Sequence, residues 1–107
     1  MIERTLVAGD IQYLEFILKD VDLVTGSVSV HNLSYADTIT FRLRKYGETI
    51  NTIEANCEVV SASEGKCRVL VTIPTEIGSY HGEVEVVEGQ NVITWKGLYY
   101  RIVRQLG

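Results

Sequence analysis

The stretch Glu76-Ile77-Gly78-Ser79-Tyr80-His81-Gly82-Glu83-Val84-Glu85-Val86-Val87 decides the fold. From Tyr80 onward it alternates: Tyr80, Gly82, Val84 and Val86 share one side, while His81, Glu83 and Glu85 share the other. Successive side chains of an extended chain point to opposite faces, so the pattern specifies a strand with one buried and one wetted face. The same period of two recurs upstream. Ile39, Phe41 and Leu43 alternate with Thr40, Arg42 and Arg44 over Thr38 to Arg44, and Leu14, Phe16 and Leu18 alternate with Glu15, Ile17 and Lys19. Cys67, Val69, Val71 and Ile73 alternate until Pro74, which has no backbone donor and ends the ladder. Downstream, Glu88-Gly89-Gln90-Asn91 is a turn, and Asn91 to Trp95 and Leu98 to Val103 are strands separated by Lys96-Gly97.

The remaining segments are weaker. Tyr46-Gly47 turns the chain into Glu48 to Glu54, whose loose pattern suits an edge strand. Val21 to Asn32, with Val24-Thr25-Gly26-Ser27 inside it, is either an extra hairpin or a long loop. No helical stripe competes with the alternation, so the chain is all-β with about eight or nine short strands. At 107 residues it is a single domain over 1–107, long enough to bury a core without metals or staples.

Tyr80, with Gly78 two residues before it and Gly82 two after, resembles the D-x-G-x-Y-x-C signature that opens strand F of immunoglobulin-like domains. That resemblance implies an antiparallel immunoglobulin-like β-sandwich in which the tyrosine hydroxyl turns back to the upstream backbone and fixes a corner. Gly82 stands where the cysteine of the inter-sheet disulfide would be. The resemblance also implies that Thr38 to Arg44 and Ser79 to Val87 are neighbours in one sheet, with Arg42 and Arg44 across from Glu83 and Glu85.

Composition narrows the function. A net charge of −4 with both signs interspersed offers no attraction for nucleic acid or anionic lipid. The first residues carry acids and no apolar core, unlike a secretion signal, and no apolar run approaches the ~18 residues of a membrane span. The expected home is a cytoplasm, or a particle assembled there. Cys57 and Cys67 flank the turn Ser61 to Gly65, equidistant from Ala62. They are either reduced, partly buried thiols, as a cytoplasm favours, or a cross-strand disulfide.

Chemistry-bearing residues are sparse. His31 and His81 are the only histidines and have no metal-ligand spacing, so no metal or cofactor is expected. A triad such as Ser79, His31 and Asp37 is selected by nothing in the sequence, and the chain is not expected to be an enzyme. Asp20 with Asp22, and Glu83 with Glu85, are expected to be solvated acids rather than calcium ligands. Trp95 shares the parity of Ile93 and belongs to the core. Tyr13, Tyr35 and Tyr46, with one of Tyr99 and Tyr100, are expected at the surface. Exposed tyrosines suit a protein interface or, alternatively, a sugar platform. Ile17, on the outward parity beside Glu15 and Lys19, is a further candidate contact.

Three blocks taken together resemble the N-terminal immunoglobulin-like domain of phage baseplate upper proteins. Gly9-Asp10 followed by Leu14-Glu-Phe-Ile-Leu-Lys-Asp20 resembles its opening strand. Asn32 to Gly47 is similar to the family's D-L-T-G-A-T-V-T-F-R-M-R-K-x-D-G, and Gly78 to Gly89 to its G-x-Y-x-A-E-F-E-V-x-x-x-G. Tyr99 to Val103 matches its last strand. The resemblance implies a non-catalytic structural part of a virion, in a tail, baseplate or surface decoration. Its partners would be other virion proteins or further copies of itself as a homo-oligomer. Two features depart from the family: it usually continues into fibre or receptor-binding segments, and Val21 to Val30 is longer than its corresponding loop.

Overall fold

Each strongly alternating stretch forms a strand. In the computed structural model, which describes residues 3–106, the strands are β1 (Glu3–Val7), β2 (Ile11–Ile17), β3 (Lys19–Val21), β4 (Val28–Val30), β5 (Thr38–Lys45), β6 (Ile53–Asn56), β7 (Glu58–Ser61), β8 (Lys66–Thr72), β9 (Gly78–Glu88) and β10 (Asn91–Val103). The described residues thus hold ten strands, where the sequence suggested about eight or nine. They form three sheets: β1-β10-β9-β5-β6, β2-β8-β7, and the two-stranded β3-β4. Every pairing is antiparallel except that of β1 with β10, which runs parallel from Glu3 beside Tyr99 to Val7 beside Val103.

The buried parities of the two larger sheets meet in one apolar cluster. Leu14 and Phe16 of β2 and Val69 and Val71 of β8 join Phe41 and Leu43 of β5, Val84 and Val86 of β9, and Ile102 of β10. Phe16 stacks on Phe41 with ring centroids 5.3 Å apart, and Tyr100 meets Phe41 edge-on at 6.3 Å. Full burial of side chains of this size contributes about 1.5–3 kcal/mol each, which makes the cluster the main source of cohesion. Gly82 lies at its centre. A Cβ there would come within 3.1 Å of Phe41 Cε1 and 3.3 Å of both Tyr100 Cε2 and the Arg42 carbonyl oxygen. Aromatic rings therefore occupy the space a cysteine side chain would need. At the mouth of β9, the Tyr80 hydroxyl donates to the Glu76 carbonyl at 2.7 Å, while the ring is buried.

Several boundaries depart from the sequence reading. The segment after Tyr46-Gly47 is not extended until Ile53. Thr52 N–H donates to the Leu43 carbonyl, and Asn51 offers its side-chain oxygen to Arg44 Nε at 3.1 Å. Polar local bonds thus hold residues 46–52 as a loop. Lys96-Gly97 does not divide two strands; β10 runs through it with a register shift between Trp95 and Leu98, a bulge rather than a break. The symmetric pairing of Cys57 with Cys67 is also corrected. Val59 stands opposite Cys67, an irregularity follows between Val59 and Ser61, and Cys57 sits in the link between β6 and β7. Both thiols are free. The adjacent Cys67 thiol and burial push the Cys57 thiol up, away from the reactive thiolate.

β5 and β9 are neighbours, with Arg42 opposite Glu83. Arg42 gathers three carboxylates: Glu54 at 3.2 Å, Glu85 at 3.3 Å and Glu83 at 3.7 Å. Arg44 stands opposite His81 and bonds Asn51 instead, so the expected two-by-two pattern is concentrated on one arginine. Such part-exposed pairs contribute about 0.2–1 kcal/mol each and set register more than stability.

Candidate functional site

Val21 to Asn32 resolves into a hairpin, and its sequence explains its form. β3 and β4 pair Lys19 with Val30, Asp20 with Ser29, and Val21 with Val28. The turn closes on Asp22, whose Oδ1 accepts from Val24 N–H at 2.8 Å and Thr25 N–H at 3.2 Å. These donors hold the Asp22 carboxyl below the usual carboxylate range. Asp22 N–H donates to the Ser27 carbonyl and Gly26 N–H to the Asp22 carbonyl, so the tip is ordered by its own backbone.

None of those bonds uses the side chains of Leu23 or Val24. They are 95% and 94% exposed, and every residue from Lys19 to Val30 is exposed. A polar pair would close the same turn, which leaves the apolar tip without a local reason. Val21 and Val28 extend the apolar surface down the arm. Val21, Leu23, Val24 and Val28 thus place four large exposed apolar side chains on one short arm.

An isolated two-stranded hairpin is marginal in water, so the arm depends on its base. Leu18, buried, donates its N–H to the Gly65 carbonyl and accepts from His31 N–H, both at 2.9 Å. Gly65 permits that approach: its φ is +66°, and a Cβ would lie 2.6 Å from Val30 Cγ1 and 2.8 Å from the carbonyl oxygens of Leu18 and His31. Trp95 Nε1 donates to the Lys19 carbonyl at 2.9 Å, and its ring meets His31 edge-on at 5.1 Å.

His31 ties the arm to the large sheet. Its Nδ1 lies 2.7 Å from Asp20 Oδ2 on β3, and its Nε2 lies 2.5 Å from Glu88 Oε1 at the end of β9. Burial pulls the imidazole pKa down, but the hydrogen bonds and charges of Asp20 and then Glu88 outweigh it and raise the value. Both ring nitrogens are committed to carboxylates, an arrangement that clamps rather than one that accepts a substrate proton.

The residues singled out from the sequence do not converge. Tyr13 and Ile17 lie on the outward parity of β2, with the Arg68 guanidinium 4.1 Å over the Tyr13 ring. Tyr46 stacks on His81 beside the large sheet at 5.1 Å, and Tyr35 stands in the loop before β5. All four are exposed. Tyr100 is buried and Tyr99 half-buried, while Trp95 is partly buried against the core. Asp37 accepts from Gly89 N–H at 2.7 Å, closing the turn after Glu88 rather than bonding His31. Asp20 and Asp22 serve His31 and the turn respectively. Among the described residues, no group of three or more His, Cys, Asp or Glu is arranged to hold a metal ion, and no helix is long and apolar enough to cross a membrane.

Sequence reasoning passed over Leu23, Val24 and the Asp20-His31-Glu88 clamp. The signal for the arm was present: Val21 to Val30 carries apolar residues on both parities, so it has no single face to bury. The clamp had none, because Glu88 is 57 positions from His31. No protein-family model matches this chain, and the search of curated proteins finds no match either.

Proposed function

We propose that this chain is a non-catalytic structural and protein-interaction module of a phage or prophage virion, placed in a tail, baseplate or surface decoration. In this reading residues 1–107 are one immunoglobulin-like β-sandwich, assembled in the host cytoplasm, that joins other virion proteins or further copies of itself. The exposed apolar arm is the observation that carries it: Leu23 and Val24 are ordered at the tip without being buried by their own molecule. Support for the sandwich comes from the order β1-β10-β9-β5-β6 alongside β2-β8-β7, their shared core, and the Tyr80 to Glu76 bond at the corner. The virion part of the reading rests on the resemblance of Asn32 to Gly47 and Gly78 to Gly89 to baseplate upper proteins.

Mass spectrometry of purified particles tests this reading. The chain is expected in particles at a stoichiometry fixed relative to the other structural proteins. Detection in infected cells together with absence from particles would overturn it.

A further inference from the structure

The edge of β2 opens onto a cleft. One cavity of about 430 Å³ lies between β2 and the β10 bulge, with Phe16, Leu18, Val84, Trp95, Leu98 and Tyr100 as its apolar lining. A second, of about 560 Å³, shares the Arg4, Glu15, Phe16 and Ile17 wall and reaches over Val60 of β7 and Lys66 and Cys67 of β8, on the paired side of β2. Neighbouring side chains of a strand point to opposite faces, so the first cavity, which touches Glu15, Phe16 and Ile17 in succession and no residue of β8, runs along the strand's edge. Among the described residues, β2 pairs with β8 on one side and with no strand on the other. Its free backbone therefore borders the cleft, the arrangement that accepts an added strand.

The cleft's charge is opposite to that of the whole chain. Arg4 and Lys96 line the first cavity and Lys19 and Lys66 the second, against the single carboxylate of Glu15, in a chain of net charge −4. Lys66 pairs with Glu64, but Arg4, Lys19 and Lys96 form no ion pair with a described residue. A suitable occupant is extended, apolar and acidic. Beyond Lys19, and with Asp20 held by His31, the arm has that composition: Val21-Asp22-Leu23-Val24 carries one further acid and three large apolar residues. Its two-stranded sheet has free edges of its own. An arm does not fill the cleft of its own molecule, because its tip residues are almost wholly exposed.

We propose that the cleft beside β2 receives the β3–β4 arm of a second copy of this chain. An arm edge extends the β2-β8-β7 sheet, Leu23 and Val24 enter among Phe16, Trp95 and Leu98, and Asp22 approaches Arg4 and Lys96. Arm and cleft are different surfaces, so the contact is either exchanged reciprocally between two copies or repeated head to tail into a ring or filament. This inference rests on the arm being an assembly surface.

Sedimentation of the full chain tests it, with two paired variants: Leu23→Asp with Val24→Asp in the arm, and Arg4→Glu with Lys96→Glu in the cleft. The wild-type chain is expected to associate as concentration rises, more weakly at high salt, with a change in the fluorescence of Trp95, the only tryptophan. Each variant alone is expected to weaken association about tenfold or more. An equimolar mixture should regain a one-to-one complex, since one partner keeps an arm and the other a cleft. The milder Leu23→Ser and Lys96→Ala, checked for an unchanged melting curve, separate loss of docking from loss of folding. A wild-type chain that stays monomeric to roughly 100 μM would overturn the inference, as would an arm variant that associates like wild type. If the monomeric chain is nevertheless found in particles, self-docking fails and the virion reading stands.

Discussion

Gly82 yields its side-chain space to Phe41, whose Cε1 lies 3.1 Å from where a Cβ at residue 82 would stand. The absence of a cysteine is thus part of how the core is packed. Gly82→Cys is expected to destabilise by about 1–3 kcal/mol, because Phe41, Tyr100 and the Arg42 carbonyl would all have to give way. Urea unfolding with unchanged m-value measures this. A stabilised variant would show that the aromatic packing is looser than described.

Tyr80 tests the corner separately. Tyr80→Phe keeps the buried ring and removes only the hydroxyl that donates to Glu76. The expected loss is about 1 kcal/mol, or about 4–8 °C in melting temperature for a domain of this size. A melting curve that overlays the wild type would mean that Glu76 finds an equal partner in water.

Which of these features could be read without coordinates depended on distance along the chain. Parity placed Phe41, Val69, Val84 and Val86 in the core, since alternation is a local consequence of strand geometry. The neighbouring of β5 and β9 was accessible through the resemblance at Tyr80. The loop after Tyr46 was misjudged because its form depends on Asn51 reaching Arg44, a contact that leaves no periodic mark. The continuous β10 was missed because a bulge and a turn both favour Lys-Gly, and only pairing with β9 tells them apart. For the arm, the exposed residues were in view as Val21 to Val30, but the histidine that secures its base belongs to a contact between distant segments.

His31 gives the arm a pH-dependent base. Its protonated ring donates to both Asp20 and Glu88, the charged groups facing it from β3 and β9, while Trp95 covers it from β10 and the Gly65 turn lies alongside with its Glu64 and Lys66 paired to each other. The folded pKa is raised above the ordinary value near 6.5. Its stabilisation is therefore fully present below that value and is lost as pH rises through the raised one. Thermal melts taken from about pH 6 to 8 are expected to show falling stability, and His31→Gln to remove the slope while His81→Gln leaves it. A slope that survives His31→Gln would assign it to another group.

Gly65 tests the mechanical connection between the turn and the arm. Gly65→Ala puts a Cβ against Val30 and two backbone oxygens at a positive φ, and a loss of about 2 kcal/mol or more is expected. Hydrogen exchange should speed up first at the Leu18 and His31 amides, which are the arm's backbone ties. Uniform acceleration across β5 and β9 instead would indicate global rather than local loosening.

The parallel pairing of β1 with β10 has a consequence for load. Glu3 lies beside Tyr99 and Val7 beside Val103, so tension drawing the two outermost strand ends apart pulls along the shared strand axis in opposite directions. The hydrogen bonds of that pair are then strained together, in shear, instead of being peeled one after another. A molecule joined to neighbours through those ends would resist extension until the whole patch gives way at once.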